Sequence, residues 1–206
     1  MFKLINGIYY SEHDLDLDHD TILKEVVDSR EKPEDGSHFS RPHQYDVDVQ
    51  HTFYEDTNLY DKTFLTMKNA VGKVIDDIFG PNRMEAEEIW GHIIPPNEQT
   101  MVHDHGDAFN DFLGISWVYY PHAPEGSGDL CFMCNVGSSS FIHRTEQAKG
   151  KLFLFSNYVM HFTPRNASNV DRISISGNFF ANDFMKNELL QDVDYKSPFW
   201  KYHGKK

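Results

Sequence analysis

The sequence predicts a mainly β protein with flanking helices, an antiparallel sandwich or jelly roll. Three observations lead there. From Glu87 onward the chain reads as short apolar strands with no helical pattern between them. Turn chemistry separates those strands, as in Pro95-Pro96-Asn97, Pro124-Glu125-Gly126-Ser127-Gly128 and Asn166-Ala167-Ser168-Asn169. The clear amphipathic helices lie upstream of that run. A length of 206 residues suits one domain. It divides into a helix-and-loop support region over 1–86, a β core over 87–183 and a tail over 184–206.

The first element is a short helix over 18–30. Asp18 or Asp20 caps it, and Ile22, Leu23, Val26 and Val27 form its apolar stripe. Pro33 and Glu34-Asp35-Gly36-Ser37 end it, and 32–46 is a polar loop. The second helix spans 58–79. Phe64, Met67, Val71, Val74, Ile75 and Ile78 recur at three- and four-residue steps, and Gly80-Pro81 is its stop signal. Strands follow at 89–94, 100–105, 114–120, 129–135, 151–156, 159–164 and 172–180. Gly126-Ser127-Gly128 resembles a piece of a phosphate loop, but no helix pattern follows it, so it reads as a hairpin turn.

Composition removes several function classes. Thirty-two acids against nineteen bases leave a net charge of −13, and such a surface repels a phosphate backbone, so no nucleic acid partner is expected. The lysines of the tail, Lys196, Lys201, Lys205 and Lys206, read as solvation of a terminus. The apolar runs are too short for a membrane span, and the opening residues lack the apolar stretch of a signal peptide. Cys131 and Cys134 form one Cys-x-x-Cys with no second pair, which reads as core packing in a reduced, cytoplasmic protein. Nothing in the pattern fixes an oligomeric state.

Histidine is the unusual residue, at twelve copies. It is the commonest metal ligand and general base. Three segments stand out: His103-Asp104-His105-Gly106-Asp107, Met160-His161-Phe162 and Asp171-Arg172-Ile173-Ser174. Residues two apart share a strand face, so His105 and Asp107 can grip one metal with His161 from a neighbouring strand. Two histidines and a carboxylate with open positions suit non-haem Fe(II). Chance predicts about two His-x-acid pairs at this composition, so the single pair carries little alone. A histidine followed eleven positions later by Arg-x-Ser is expected only about 0.02 times, and His161, Arg172 and Ser174 have that spacing.

These residues resemble the signature of the 2-oxoglutarate/Fe(II)-dependent oxygenases of the prolyl-hydroxylase-like superfamily. Within it the chain is similar to a group of phage and bacterial oxygenases. Their pattern appears as His103/His105, Ser116-Trp117-Val118-Tyr119-Tyr120, Gly150-Lys151-Leu152-Phe153-Leu154-Phe155, His161 and Arg172-Ile173-Ser174-Ile175-Ser176-Gly177-Asn178. Trp117 stands where those relatives have glycine. The resemblance implies a double-stranded β-helix over 87–183. It implies that Fe(II) is held by His105, Asp107 and His161. It also places the distal carboxylate of the cosubstrate 2-oxoglutarate on Arg172, Ser174 and Tyr120. The implied reaction oxidises a C–H bond of a peptidyl or small-molecule substrate and releases succinate and CO2. A guanidinium fork suits a buried carboxylate, and the alternation sends Ile173, Ile175 and Phe179 to the core.

Alternatives stay open on the metal. His103, His105 and Asp107 fall on one strand face, so His103 can replace His105. A cupin-like set of His103, His105 and His161 is the rival, as in a non-catalytic jelly-roll module that binds a ligand or partner. Asn178 reads as a strand-end hydrogen bonder. His122 and His143 read as surface residues near the barrel mouth, and His13, His19, His38, His43, His51, His92 and His203 as structural or exposed. Substrate recognition is expected on the loops 32–46 and 106–113.

Overall fold

Three central strands, Gly114–His122, Lys151–Ser156 and Arg172–Ala181, are buried on both faces, and the alternating direction of their side chains sorts the molecule into layers. The computed structural model describes residues 9–30, 50–53, 62–106, 114–136 and 138–185. The described elements are β1 (Tyr10–Asp14), α1 (His19–Arg30), β2 (Gln50–Phe53), α2 (Lys62–Phe79), β3 (Met84–Ile94), β4 (Gly114–His122), β5 (Cys131–Val136), β6 (Ser139–Arg144), β7 (Lys151–Ser156), β8 (His161–Phe162) and β9 (Arg172–Ala181). They form a six-stranded sheet, ordered β1-β7-β4-β9-β3-β2, and a three-stranded sheet, ordered β6-β5-β8. The pairings in both sheets are antiparallel.

Each face of the larger sheet has its own core. Trp117 and Tyr119 of β4, Leu152 and Leu154 of β7, and Ile173, Ile175 and Phe179 of β9 pack against Ile22 and Val26 of α1 and Met67, Val71 and Ile75 of α2. The residues between them point the other way. Val118, Tyr120, Phe153 and Phe155 meet Leu130, just before β5, and Phe132 and Cys134 from the smaller sheet. The helices therefore cover one side of the large sheet, and the small sheet faces the other.

Helix α1 starts where a cap is available. Asp18 Oδ1 accepts the Thr21 amide at 3.1 Å and Asp18 Oδ2 accepts the Thr21 hydroxyl at 2.8 Å, so Asp18 rather than Asp20 is the cap. Asp20 is instead paired with Lys149 at 2.8 Å. Helix α2 ends at Phe79, and Gly80 follows with φ +96°, which a side chain would disfavour. Its expected first residues, 58–61, lie outside the described residues.

Strands β7 and β9 match the expected 151–156 and 172–180 closely, and β4 runs on to His122. Strand β3 begins earlier than expected, at Met84, with a bulge between Ala86 and Ile89. Two expected strands are corrected. The segment 100–105 is not a ladder; it makes a single bridge, His103 to His161. The strand expected at 159–164 contracts to His161–Phe162. Thr100 pairs through its backbone with Thr163 O (3.0 Å) and through its hydroxyl with Thr163 N (2.7 Å), and Pro164 has no amide to continue a ladder. Strands β1, β2 and β6 were not expected. β1 carries His13 and Asp14, and the residues of β6 are mostly exposed, so neither shows apolar alternation. Both Cys131 and Cys134 are buried and unbridged, as expected. No helix among the described residues is long and apolar enough to cross a membrane.

Truncating the buried face of α2 should be costly. Ile75→Ala is expected to lower unfolding free energy by about 2–5 kcal/mol, whereas Leu65→Ala, at a position 49% exposed, should change it by less than about 0.5 kcal/mol. Urea denaturation of the two variants checks the layer assignment. Equal losses would contradict it.

Candidate active site

Three imidazoles converge at the edge of the inter-sheet core. The hydrogen bonds His103 N to His161 O (3.0 Å) and His161 N to His103 O (2.8 Å) place those two side chains opposite each other. Their ring centroids are 4.3 Å apart. His105, two residues on, is held by its amide on Asn157 O at 2.8 Å, and its ring stacks on His161 at 5.1 Å and 13°. One ligand nitrogen from each of His103, His105 and His161 lies within 4.8 Å of the others. The three gather although the segment is not a regular strand, so shared strand parity is not what unites them.

Their tautomers are set by chemistry. His103 Nδ1 is 2.7 Å from Met101 O, and His161 Nδ1 is 2.8 Å from Val159 O. A carbonyl only accepts, so both Nδ1 atoms carry protons, and in the neutral ring each Nε2 presents its lone pair. His161 is buried, and Phe155 packs on it edge-on at 4.8 Å. Burial, reinforced by the neighbouring His103 and His105, pushes its pKa well below the usual imidazole range. A neutral imidazole with its lone pair exposed to a cluster is what a metal requires. Trp90 stacks on His105 at 5.3 Å and 20°, which fixes the remaining ring.

The same cleft carries a cationic end. Along β9, Arg172, Ser174 and Ser176 line it, while Tyr120 and Ser116 of β4 and His92 and Trp90 of β3 line its sides. Register explains the grouping: His92 pairs across from Ser174, Trp90 from Ser176 and Val118 also from Ser176. Arg172 is only 2% exposed. Its Nη2 donates to Tyr120 Oη at 2.6 Å and its Nε to Gln147 Oε1 at 3.0 Å. The guanidinium carbon also lies 4.8 Å from the Tyr120 ring centroid. Among the described residues no carboxylate lies within ion-pair distance of Arg172. Burial raises the Tyr120 pKa, with Arg172 only partly opposing it, so Tyr120 remains a phenol. Its oxygen accepts from Arg172, which leaves its proton to donate elsewhere.

The structure thus brings His105, His161, Tyr120, Arg172 and Ser174 to one cleft and adds His103. Asp107 lies outside the described residues, as do 107–113 and 31–49, where recognition was expected. His92, expected to be structural or exposed, lines the cleft. His143, expected at the surface, packs on Tyr10 at 5.5 Å and on Phe132 at 6.3 Å. His19 of α1 reaches the Tyr119 hydroxyl, a structural role as expected. Trp90 and Gln147 had no sequence signal, since both act through non-local contacts.

No family model matches the sequence, and no curated protein does. Solved structures do. A prolyl-4-hydroxylase from Pseudomonas putida matches with a TM-score of 0.60 at 17% identity, over 84% of this chain and 92% of its own. SnoK, a non-haem α-ketoglutarate-dependent carbocyclase from nogalamycin biosynthesis, matches with a TM-score of 0.66 at 11% identity, over 89% and 86%. HygX from Streptomyces hygroscopicus, solved with nickel and 2-oxoglutarate bound, matches with a TM-score of 0.59 at 11% identity, over 84% and 83%. These likenesses establish the fold, a double-stranded β-helix. They do not by themselves establish a reaction.

The depressed His161 pKa has a pH signature in metal-free protein. The unfolded chain takes up a proton near pH 6.5 while folded His161 does not, so stability is full above about 6.5 and falls as pH drops toward the folded pKa. His161→Gln should flatten that slope. Urea midpoints between pH 8 and pH 5 check this; equal slopes in both proteins would contradict it.

Proposed function

We propose that the protein is an Fe(II)- and 2-oxoglutarate-dependent dioxygenase. The observation that carries this reading is one cleft holding both a cluster of three imidazoles, with His161 kept neutral by burial, and a buried guanidinium whose partners among the described residues are uncharged. Either half alone has other uses. Together they match a metal beside a site for a carboxylate, and the neighbours sharing the fold include proteins named for α-ketoglutarate dependence.

The residues fit both groups. The donor set is nitrogen-rich, and Nδ1 contacts to carbonyls orient the rings for a divalent transition metal. His161 would bind the metal in every candidate set, and His105 in all but the one in which His103 replaces it. The third ligand is Asp107 on the sequence pattern, and the geometry of His103 supports a three-histidine set as the second reading. Bound together, Fe(II) and 2-oxoglutarate would supply oxidative decarboxylation with O2, giving succinate and CO2 and oxidising a substrate C–H bond.

The remaining work falls to the chain's own side chains. Arg172 would bind the distal carboxylate through its fork, Tyr120 would donate its phenolic proton to it, and Ser174 would add a hydroxyl from the same strand face. Phe155, Val118 and Leu130 wall the cleft and exclude water around the imidazoles. The substrate is a small molecule or a peptidyl group, because the neighbours include a prolyl-4-hydroxylase and an epimerase. The net charge of −13 argues against polyanions such as nucleic acid.

Three tests separate the readings. Fe(II) or Mn(II) with 2-oxoglutarate should raise the melting temperature jointly, since both bind the native state; no joint shift would favour a binding module. Asp107→Ala should abolish metal binding and succinate formation if the carboxylate is the third ligand. Full activity in Asp107→Ala with loss in His103→Ala would establish the three-histidine set instead. Arg172→Ala should weaken 2-oxoglutarate binding by about 2–5 kcal/mol, with metal affinity little changed. Arg172→Lys should recover part of the loss, because it keeps the charge without the fork. Calorimetric titration without oxygen reads both, and wild-type affinity in Arg172→Ala would overturn the role of this residue.

A further inference from the structure

The loop before β7 carries a side chain that touches Arg172 and that no sequence motif singled out. Gln147 Oε1 accepts from Arg172 Nε at 3.0 Å, and Gln147 Nε2 donates to Ser127 Oγ at 3.0 Å. The amide orientation is unambiguous in chemistry: a guanidinium only donates, so oxygen must face it, and the NH2 must then face Ser127. Ser127 is fully buried. It sits in the turn that closes with Ser127 N on Pro124 O at 3.1 Å, between Gly126 (φ +78°) and Gly128 (φ +93°). A Cβ on Gly128 would meet Pro164 O at 2.7 Å, so the turn's shape is tightly constrained. A rigid turn therefore holds Ser127, Ser127 holds Gln147, and Gln147 holds the edge of the guanidinium.

We propose that Gln147 is a positioning residue whose neutrality is its function: it orients the Arg172 fork toward the cleft without neutralising it. This rests on the dioxygenase reading above, in which Arg172 binds the distal carboxylate of 2-oxoglutarate. A buried guanidinium needs hydrogen-bond partners to offset desolvation, and the most effective partner is a carboxylate. A carboxylate at position 147 would satisfy Arg172 permanently and compete with the ligand. Gln147 and Tyr120 together satisfy two donor directions with uncharged oxygens, and the full positive charge stays available to an incoming anion. The Tyr120 side of the clamp also bears on the ring face, which leaves Gln147 to set the in-plane rotation of the fork.

Gln147→Glu is the discriminating variant, because it keeps shape and hydrogen bond while adding a charge. Calorimetric titration of 2-oxoglutarate into Mn(II)-loaded, oxygen-free protein should show affinity reduced about 10- to 100-fold relative to wild type. Mn(II) affinity should stay within about twofold, and the ligand-free melting temperature should be unchanged or higher, because the new ion pair is internal. In turnover the KM for 2-oxoglutarate should rise while kcat at saturation stays close to wild type. A merely structural Gln147 would instead lose stability without a selective loss of 2-oxoglutarate. Ser127→Ala, which releases the anchor and adds no charge, provides a second arm with an expected severalfold rise in KM and should be read even where Gln147→Glu folds poorly. Wild-type 2-oxoglutarate affinity in Gln147→Glu, or an unchanged KM in Ser127→Ala, overturns the proposal. Failure of the wild-type protein to bind 2-oxoglutarate at all overturns the dioxygenase reading itself, before any variant is compared.

Discussion

In β9 the side chains of Arg172, Ser174 and Ser176 turn into the cleft, while Ile173, Ile175 and Phe179 pack under the two helices. A slip of one residue would exchange those sets and drive a guanidinium among Met67, Val71 and Ile75. The strand is held against such a slip on both sides, by nine registered pairs with β3 and seven with β4. Everything proposed for the cleft depends on that register. It decides that Arg172 is buried facing an internal surface rather than facing solvent, and that His92 and Tyr120 flank the same row as Ser174.

Burying the guanidinium there sets the electrostatics of the site. Among the described residues the hydrogen-bond partners of Arg172 are a phenol and a carboxamide, and burial together with His103 and His105 keeps the nearby His161 neutral. Desolvation strengthens any interaction made with that cation, since the surrounding medium screens it less than water would. A chain with a net charge of −13 thereby keeps, among its described residues, a buried guanidinium lining its own cleft. On the proposed reading, the exterior would repel anions broadly while this guanidinium would receive one.

The imidazole end follows a different logic. Its residues come from an irregular segment at 103–105 and from the two-residue strand β8, joined by one bridge. Backbone pairing of His103 with His161, together with Asn157 O on His105 N, does the work that a longer ladder would have done. Packing of Trp90 and Phe155 against the rings then restricts their rotation. Placement of the three imidazoles comes from side-chain packing and isolated hydrogen bonds more than from regular secondary structure.

The sequence by itself determined the fold class, the second helix, expected at 58–79 and described from Lys62 to Phe79, and strands β4, β7 and β9; the family resemblance added that His105, His161, Arg172, Ser174 and Tyr120 belong to one site. The elements have strong local periodicity, and His161, Arg172 and Ser174 have a spacing that chance does not produce. Strands β1 and β6 escaped it because polar residues such as His13, Asp14, Ser139 and Ser140 interrupt their alternation. β1 owes its existence to the partner edge of β7, from Tyr10 opposite Phe155 to Asp14 opposite Lys151. The expected strand at 100–105 failed for the converse reason: a short extended stretch was present, but ladder pairing beyond the single bridge was not. Only the tertiary structure decided that His103 joins the imidazole cluster, that His92 and Trp90 wall the cleft, and that Gln147 reaches Arg172 across 25 positions of sequence. Periodicity encodes which way a side chain faces on its own strand. Which side chains then meet depends on how separate strands are registered, and that is written in no local stretch of the chain.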